Sequence, residues 1–166
     1  MLIRPATSDD HDAIWRIIEP TIRAGETYAL PRQMSRADAL AYWTGPDRES
    51  FVAEADGRVL GTYYLRANEL GGGAHIANCG YMTAAEAVGR GVARQMCEHS
   101  MDYARQRGFR AMQFNFVVDS NERAVRLWQS LGFKIIARLP GAFEHPSLGY
   151  TDALIMYQPL IGGRRP

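Results

Sequence analysis

Two glycines and three asparagines are the residues of this 166-residue chain whose types and spacing could do chemistry. Gly89 and Gly91 sit one residue apart in AEAVGRGVARQM, Ala85 to Met96, where a strand-like stretch becomes helical. A helix N-terminus has unpaired N–H groups and the positive end of the dipole, so it attracts anions. Glycine leaves such amides uncovered. Val88, Gly89, Arg90, Gly91, Val92 and Ala93 therefore offer successive amides to a diphosphate, with the charges of Arg90 and Arg94 beside them. A tight turn accounts for the same spacing, and a lone Gly-x-Gly does not decide between the two. The stretch lacks the Gly-Lys-Ser/Thr of a P-loop and the third glycine of a dinucleotide fingerprint.

Asn78 and Asn115 fall in the middle of stretches that otherwise look like buried strands. Asparagine is depleted there, and a buried amide must find partners. Either each bonds neighbouring backbone, or the pair reaches a polar ligand. Asn121 opens a helix, where an N-cap accounts for it. His11, His75, His99 and His145 are scattered without the paired spacing a metal needs, so no metal is expected. Cys79 and Cys97 form no Cys-x-x-Cys pair and read as reduced core thiols of a cytoplasmic protein.

The elements that must position these residues follow from periodicity. LIRPA is a short strand, and TSDD caps a helix carrying Ile14, Ile17 and Ile18. TIRAGETYALPRQM reads as a loop by its Gly and Pro, and SRAD starts a second helix. FVAEA and VLGTYYLRA flank the Asp56–Gly57 turn as a hairpin with imperfect alternation. AHIANCGYMT is a third strand, followed by a helix from about Gly89 to Arg107. RAMQFNFVV puts Met112, Phe114, Phe116 and Val118 on one face and Gln113 and Asn115 on the other. A short helix, NERAVRLWQSLG, then the strand FKIIARL, the loop PGAFEHPSLG and the strand YTDALIMYQ complete the chain. This order predicts an α/β domain over 1–160 with a tail at 161–166. Its single mixed central sheet has about seven strands, with parallel pairing around the helical crossover.

Composition bounds the partners. Hydrophobic content of 46% against 22% charged suits one globular domain. The formal net charge is +1 and no block of like charges occurs, which argues against nucleic acid as a partner. The N-terminal MLIRPATSDD lacks the apolar run of a signal peptide, and no segment has the ~20 apolar residues of a membrane span.

The loop and helix together resemble the GNAT superfamily of N-acetyltransferases. Gly91-Val92-Ala93 matches the end of its acyl-CoA pattern Gln/Arg-x-x-Gly-x-Gly/Ala, with Val88 in place of Gln or Arg. Asn121, Ala124, Leu127, Gly132 and Phe133 match its Asn-x-x-Ala-x-x-Leu-Tyr-x-x-x-Gly-Phe. The resemblance implies helices on both faces of the sheet and fourth and fifth strands that splay to admit pantetheine. It implies acetyl-CoA as cosubstrate, bound by Val88 to Ala93, by Asn121, and by main-chain groups near Tyr81, Met82 and Thr83. The Met82 amide would polarise the thioester carbonyl, a standard aid to acyl transfer. HIANCGYM, FNFVVDSNERAV and YTDALIMY look like the branch acetylating small amino and imino acids such as azetidine-2-carboxylate. In it, asparagines at 78 and 115 position the acceptor. GETYALP, reminiscent of the phosphinothricin and methionine sulfone acetyltransferases, either puts Glu26 near an ammonium and Tyr28 in the pocket wall or is a plain surface loop. Trp128 stands where many members have a proton-donating Tyr, and an indole N–H cannot deliver a proton at ordinary pH. His75 and Tyr81 are candidate proton relays or structural residues. The expected reaction is direct attack by a small-molecule amine in a ternary complex. The alternatives are a non-catalytic acyl-CoA sensor and a peptide or protein N-terminal acetyltransferase. A homodimer is common in the family.

Overall fold

The computed structural model describes residues 1–161; residues 162–166, most of the expected tail, lie outside the described residues. The strands are β1 (Leu2–Pro5), β2 (Glu49–Ala55), β3 (Arg58–Ala67), β4 (Ile76–Thr83), β5 (Ala111–Val118), β6 (Lys134–His145) and β7 (Gly149–Pro159). The helices are α1 (His11–Ala24), α2 (Arg36–Trp43), α3 (Val92–Gln106) and α4 (Glu122–Ser130). One seven-stranded sheet runs β1-β2-β3-β4-β5-β7-β6, antiparallel except where β4 meets β5 around the α3 crossover.

Helices cover both faces, as neighbouring residues of β3 show. Thr62 accepts a 2.9 Å hydrogen bond from the Trp43 indole of α2. Gly61 points the other way, where an added Cβ would lie 2.8 Å from Val92 and Met96 of α3. Between sheet and α1 lie Ile14, Ile17, Ile18 and Ile22, all buried, the apolar stripe of an amphipathic helix.

Four boundaries differ from the sequence reading, each for a local reason. α1 runs through Pro20 to Ala24, because Ile22 continues the buried stripe, and it stops at Gly25 with φ 65°. β4 begins at Ile76, because Gly71–Gly73 form a 3-10 turn. α3 begins at Val92 rather than near Gly89. Gly89 and Gly91 have φ 87° and 77°, which a right-handed helix does not accept. β6 continues past Pro140 to His145 where a loop is expected. It is an edge strand with a bulge between Leu139 and Phe143, so a residue without an N–H is tolerated.

Bulges account for the imperfect alternation. Between Ala53 and Glu54 the β2–β3 register skips Leu60, and between Phe114 and Val117 β5 carries one residue more than β7. The second bulge reverses the alternation expected for Phe116 and Val118 and lies at Asn115. Among the described residues, no helix is long and apolar enough to cross a membrane.

Candidate functional site

β4 and β5 pair only at Ile76↔Ala111 and Ala77↔Met112, then part. Asn78 makes the last link, its Nδ2 donating to Gln113 O at 3.0 Å. Beyond it the main chain of β4 faces an opening. Ala84 N donates to Leu60 O of β3, and strand parity turns the amides of Met82 and Gly80 the same way. Cys79, Tyr81 and Thr83 therefore present their main-chain groups to the cleft. The Met82 amide points at β3 and its side chain is buried, so it does not face the opening as the sequence reading expects. At Tyr81 the Tyr28 hydroxyl does what a strand would do. It accepts from Tyr81 N at 2.8 Å and donates to Tyr81 O at 2.9 Å.

On one side of this junction a 350 Å³ groove runs between the start of α3 and α4. Its wall includes Thr83, Val88, Gly89, Gly91, Val92 and Ala93, and Val88 is 52% exposed. Among the described residues the N–H groups of Gly89, Gly91, Val92 and Ala93 have no acceptor; the first bond of α3 is Gln95 N to Gly91 O, 3.1 Å. Those of Val88 and Arg90 are spent inside the turn, on Ala85 O and Ala87 O. The Arg90 side chain is exposed and outside the groove, so the free amides along the groove are a narrower set than the run 88–93. Arg94 and Arg123 line the groove instead, and Arg123 Nη2 stands 3.8 Å from where a Gly89 Cβ would be. These free amides and the two guanidiniums suit a diphosphate. The turn also needs its glycines, since both have positive φ; the cradle and the turn are one structure.

On the other side lies a 240 Å³ cavity, below the ~300 Å³ of drug-sized sites. Asn78, 5% exposed, and Asn115 both line it, with Tyr28, Tyr42 and Tyr64. Asn115 is held at both ends: Oδ1 accepts from Gln113 Nε2 at 2.9 Å, and Nδ2 donates to Asn68 Oδ1 at 2.6 Å. Each amide keeps spare capacity, because its oxygen accepts twice and its nitrogen donates twice. Glu26 is exposed and outside this wall; Thr27 to Leu30 form it in its place. Gly80 opens the space, for an added Cβ would lie 2.7 Å from the Tyr64 ring.

Tyr81, Asn121, Ala124 and Trp128 line both hollows. Asn121 caps α4, accepting from Ala124 N at 3.3 Å, and still borders the junction. Trp128, 8% exposed, packs on Tyr81 and Phe114 with ring centroids 5.1 and 5.2 Å apart. The two candidate relays are elsewhere. The Tyr81 hydroxyl turns to Ser100 Oγ at 2.7 Å beneath the sheet, and His75 is exposed. Burial pushes the Tyr28, Tyr81 and Cys79 hydroxyls and thiol well up, so all three stay protonated at neutral pH.

Sequence reasoning names Arg94 beside the groove but misses Arg66 and Arg123 as wall residues. Arg123 had a faint signal, a cation in the first turn of a helix where the dipole disfavours it. Arg66 had one too, a charge inside the apolar run TYYLRA.

A sheet parted at β4 and β5, with an anion cradle opening onto a polar cavity, is the architecture of an acyl-CoA-dependent transferase. Residues 12–133 match the model of the acetyltransferase (GNAT) family, and the chain belongs to that family. It is an acetyltransferase with acetyl-CoA as cosubstrate. It is 28% identical over 156 residues to the N-acetyltransferase aca1 of Schizosaccharomyces pombe, covering 81% of this chain and 72% of that protein. A GCN5-related N-acetyltransferase from Kribbella flavida superposes with TM-score 0.90 at 42% identity, over 95% of this chain and 96% of that one. The putative acetyltransferase yncA from Salmonella typhimurium, solved with acetyl-CoA, shares the fold at TM-score 0.85 and 23% identity, over 100% of this chain and 97% of that one.

Proposed function

We propose that this enzyme acetylates the amine of a small amino-acid-like molecule, by direct attack on acetyl-CoA within a ternary complex, and that residues 1–160 are its catalytic domain. The observation that carries the reading is the shared wall of Tyr81, Asn121, Ala124 and Trp128. A donor lying along the groove brings its acyl end to the mouth of a polar cavity sized for a small molecule.

In this reading the amides of Gly89, Gly91, Val92 and Ala93, with Arg94 and Arg123, hold the diphosphate. Main-chain groups of Tyr81 and Thr83 pair with pantetheine, and the Tyr81 amide takes the polarising role first expected of Met82. That requires the Tyr28 hydroxyl to yield its bond to Tyr81 N. Asn78 and Asn115 orient the acceptor amine, and neither is a base. The acceptor must lose its proton to water before it attacks the thioester carbonyl. Trp128 delivers no proton, so the thiol of coenzyme A, with a pKa near 8.5, leaves as the anion or is protonated by water.

The test is thiol release from acetyl-CoA with azetidine-2-carboxylate and other proline analogues, methionine sulfone, phosphinothricin, polyamines and peptides with free N-termini. Turnover with the small amino acids is expected; turnover confined to peptides or polyamines contradicts the reading. Asn115→Ala should lower kcat/KM at least about 100-fold and leave acetyl-CoA affinity unchanged, as expected for a lost orienting contact.

A further inference from the structure

We propose that Arg66 is the specificity residue of the acceptor cavity and takes an anionic group, the carboxylate of a zwitterionic amino or imino acid. The inference rests on the small-acceptor reading above and names what that acceptor must carry.

Three observations converge on this side chain. Of the described residues lining the cavity, Arg66 is the only one with a full charge at neutral pH; no Asp, Glu, Lys or His lines it. Arg66 is also poorly paired. Its nearest carboxylate oxygen is Asp47 Oδ2, 3.8 Å from Nη1, and its buried Nε has no hydrogen-bond partner. Asp47 is moreover shared, since Arg48 Nε lies 3.3 Å from its other oxygen. Two guanidiniums and one carboxylate leave a positive excess behind the cavity wall. Arg48 is sandwiched against Tyr42 and Tyr64, 4.2 and 4.6 Å from the ring centroids, and is thereby held off the cavity. Arg66 is 32% exposed and left to meet a ligand.

Position adds the third argument. Arg66 is directly across the β3–β4 ladder from Asn78. A guanidinium matches a carboxylate with two parallel hydrogen bonds. An acceptor anchored there by its carboxylate holds its α-amine a bond or two away, beside Asn78 and towards Asn115. A dication such as a polyamine meets like charge and no carboxylate. A peptide N-terminus offers a neutral amide where the anion should be. Both are disfavoured by the repulsion or the unpaired donor each would leave.

Matched pairs of acceptors test it: azetidine-2-carboxylate and methionine sulfone, each against its own carboxamide, with wild type, Arg66→Met and Arg66→Lys. Wild type should prefer acid over carboxamide in kcat/KM by roughly 10- to 100-fold, the effect of one charge-assisted contact. Arg66→Met should erase that preference by raising KM for the acid while kcat changes little, and Arg66→Lys should restore part of it. Acetyl-CoA affinity, read by calorimetry, should stay level in both variants, which separates anchoring from misfolding. If acid and carboxamide react equally in wild type, or if the preference survives in Arg66→Met, the carboxylate anchor is overturned and the small-acceptor reading stands. If neither member of any pair reacts while peptides or polyamines do, both fall.

Discussion

The Tyr28 hydroxyl stands in for a strand partner at Tyr81, one of the β4 residues whose amide and carbonyl face the cleft. By accepting from Tyr81 N at 2.8 Å and donating to Tyr81 O at 2.9 Å it satisfies the main chain of Tyr81 where the sheet parts. Its phenol is pushed up by burial and remains a donor across the working pH range. Tyr28→Phe removes both bonds at once. Urea denaturation of the ligand-free protein should show a loss of about 1–3 kcal/mol, the cost of buried groups left unpaired. A loss within about 0.5 kcal/mol would mean that these bonds do not hold the parted strand.

At the scale of elements, the site depends on how closely α3 lies on the sheet. Gly61 lets Val92 and Met96 descend onto β3, and Val92 is the first residue of the helix whose opening amides are the proposed cradle. Gly61→Ala puts a methyl 2.8 Å from Val92 Cγ1, tighter than packed cores accept. Denaturant midpoints should fall by the equivalent of about 1–3 kcal/mol, and acetyl-CoA affinity should fall with them as the cradle shifts. An unchanged affinity in a destabilised variant would show that the cradle is set by the glycine turn alone. Legibility also divides along elements. The seven strands and four helices were readable because apolar spacing and turn residues are local signals. The extent of β6 was not, because an edge strand tolerates Pro140, and the sequence does not reveal which strand lies at an edge. Met82 misled for a related reason: which amides face the cleft is decided by the β3–β4 register, a pairing between distant segments. That Arg66 lines the cavity and Glu26 does not is likewise a tertiary fact, set by the β3–β4 pairing and by the path of the loop after α1. Gly89, Gly91, Asn78, Asn115 and Asn121 were legible as residues of the two walls, since their types are costly or unusual where they stand.

Across the whole molecule, acid stability should trace to one cluster far from the cleft. Arg4 of β1 donates to both Asp10 oxygens at 2.8 Å and reaches Glu54 of β2 at 3.0 Å, tying the first strand and the entry to α1 onto the sheet. The hydrogen bonds from Arg4, helped by Thr7, hold Asp10 at about 2, below its ordinary 3.8. A carboxylate depressed in the folded state stabilises fully above its unfolded pKa and loses that contribution as pH falls through the folded one. Asp10→Asn should therefore cost about 1.5–3 kcal/mol at pH 7, and the gap from wild type should close between pH 4 and pH 2. A gap that stays constant through that window would assign the stability to packing.

The account turns on the amides that open α3, and a crystal structure with coenzyme A tests them most directly. Diphosphate oxygens should lie about 2.7–3.2 Å from the nitrogens of Gly91, Val92 and Ala93, with the pantetheine arm running between β4 and β5. A diphosphate bound elsewhere, with those nitrogens facing only water, would contradict it.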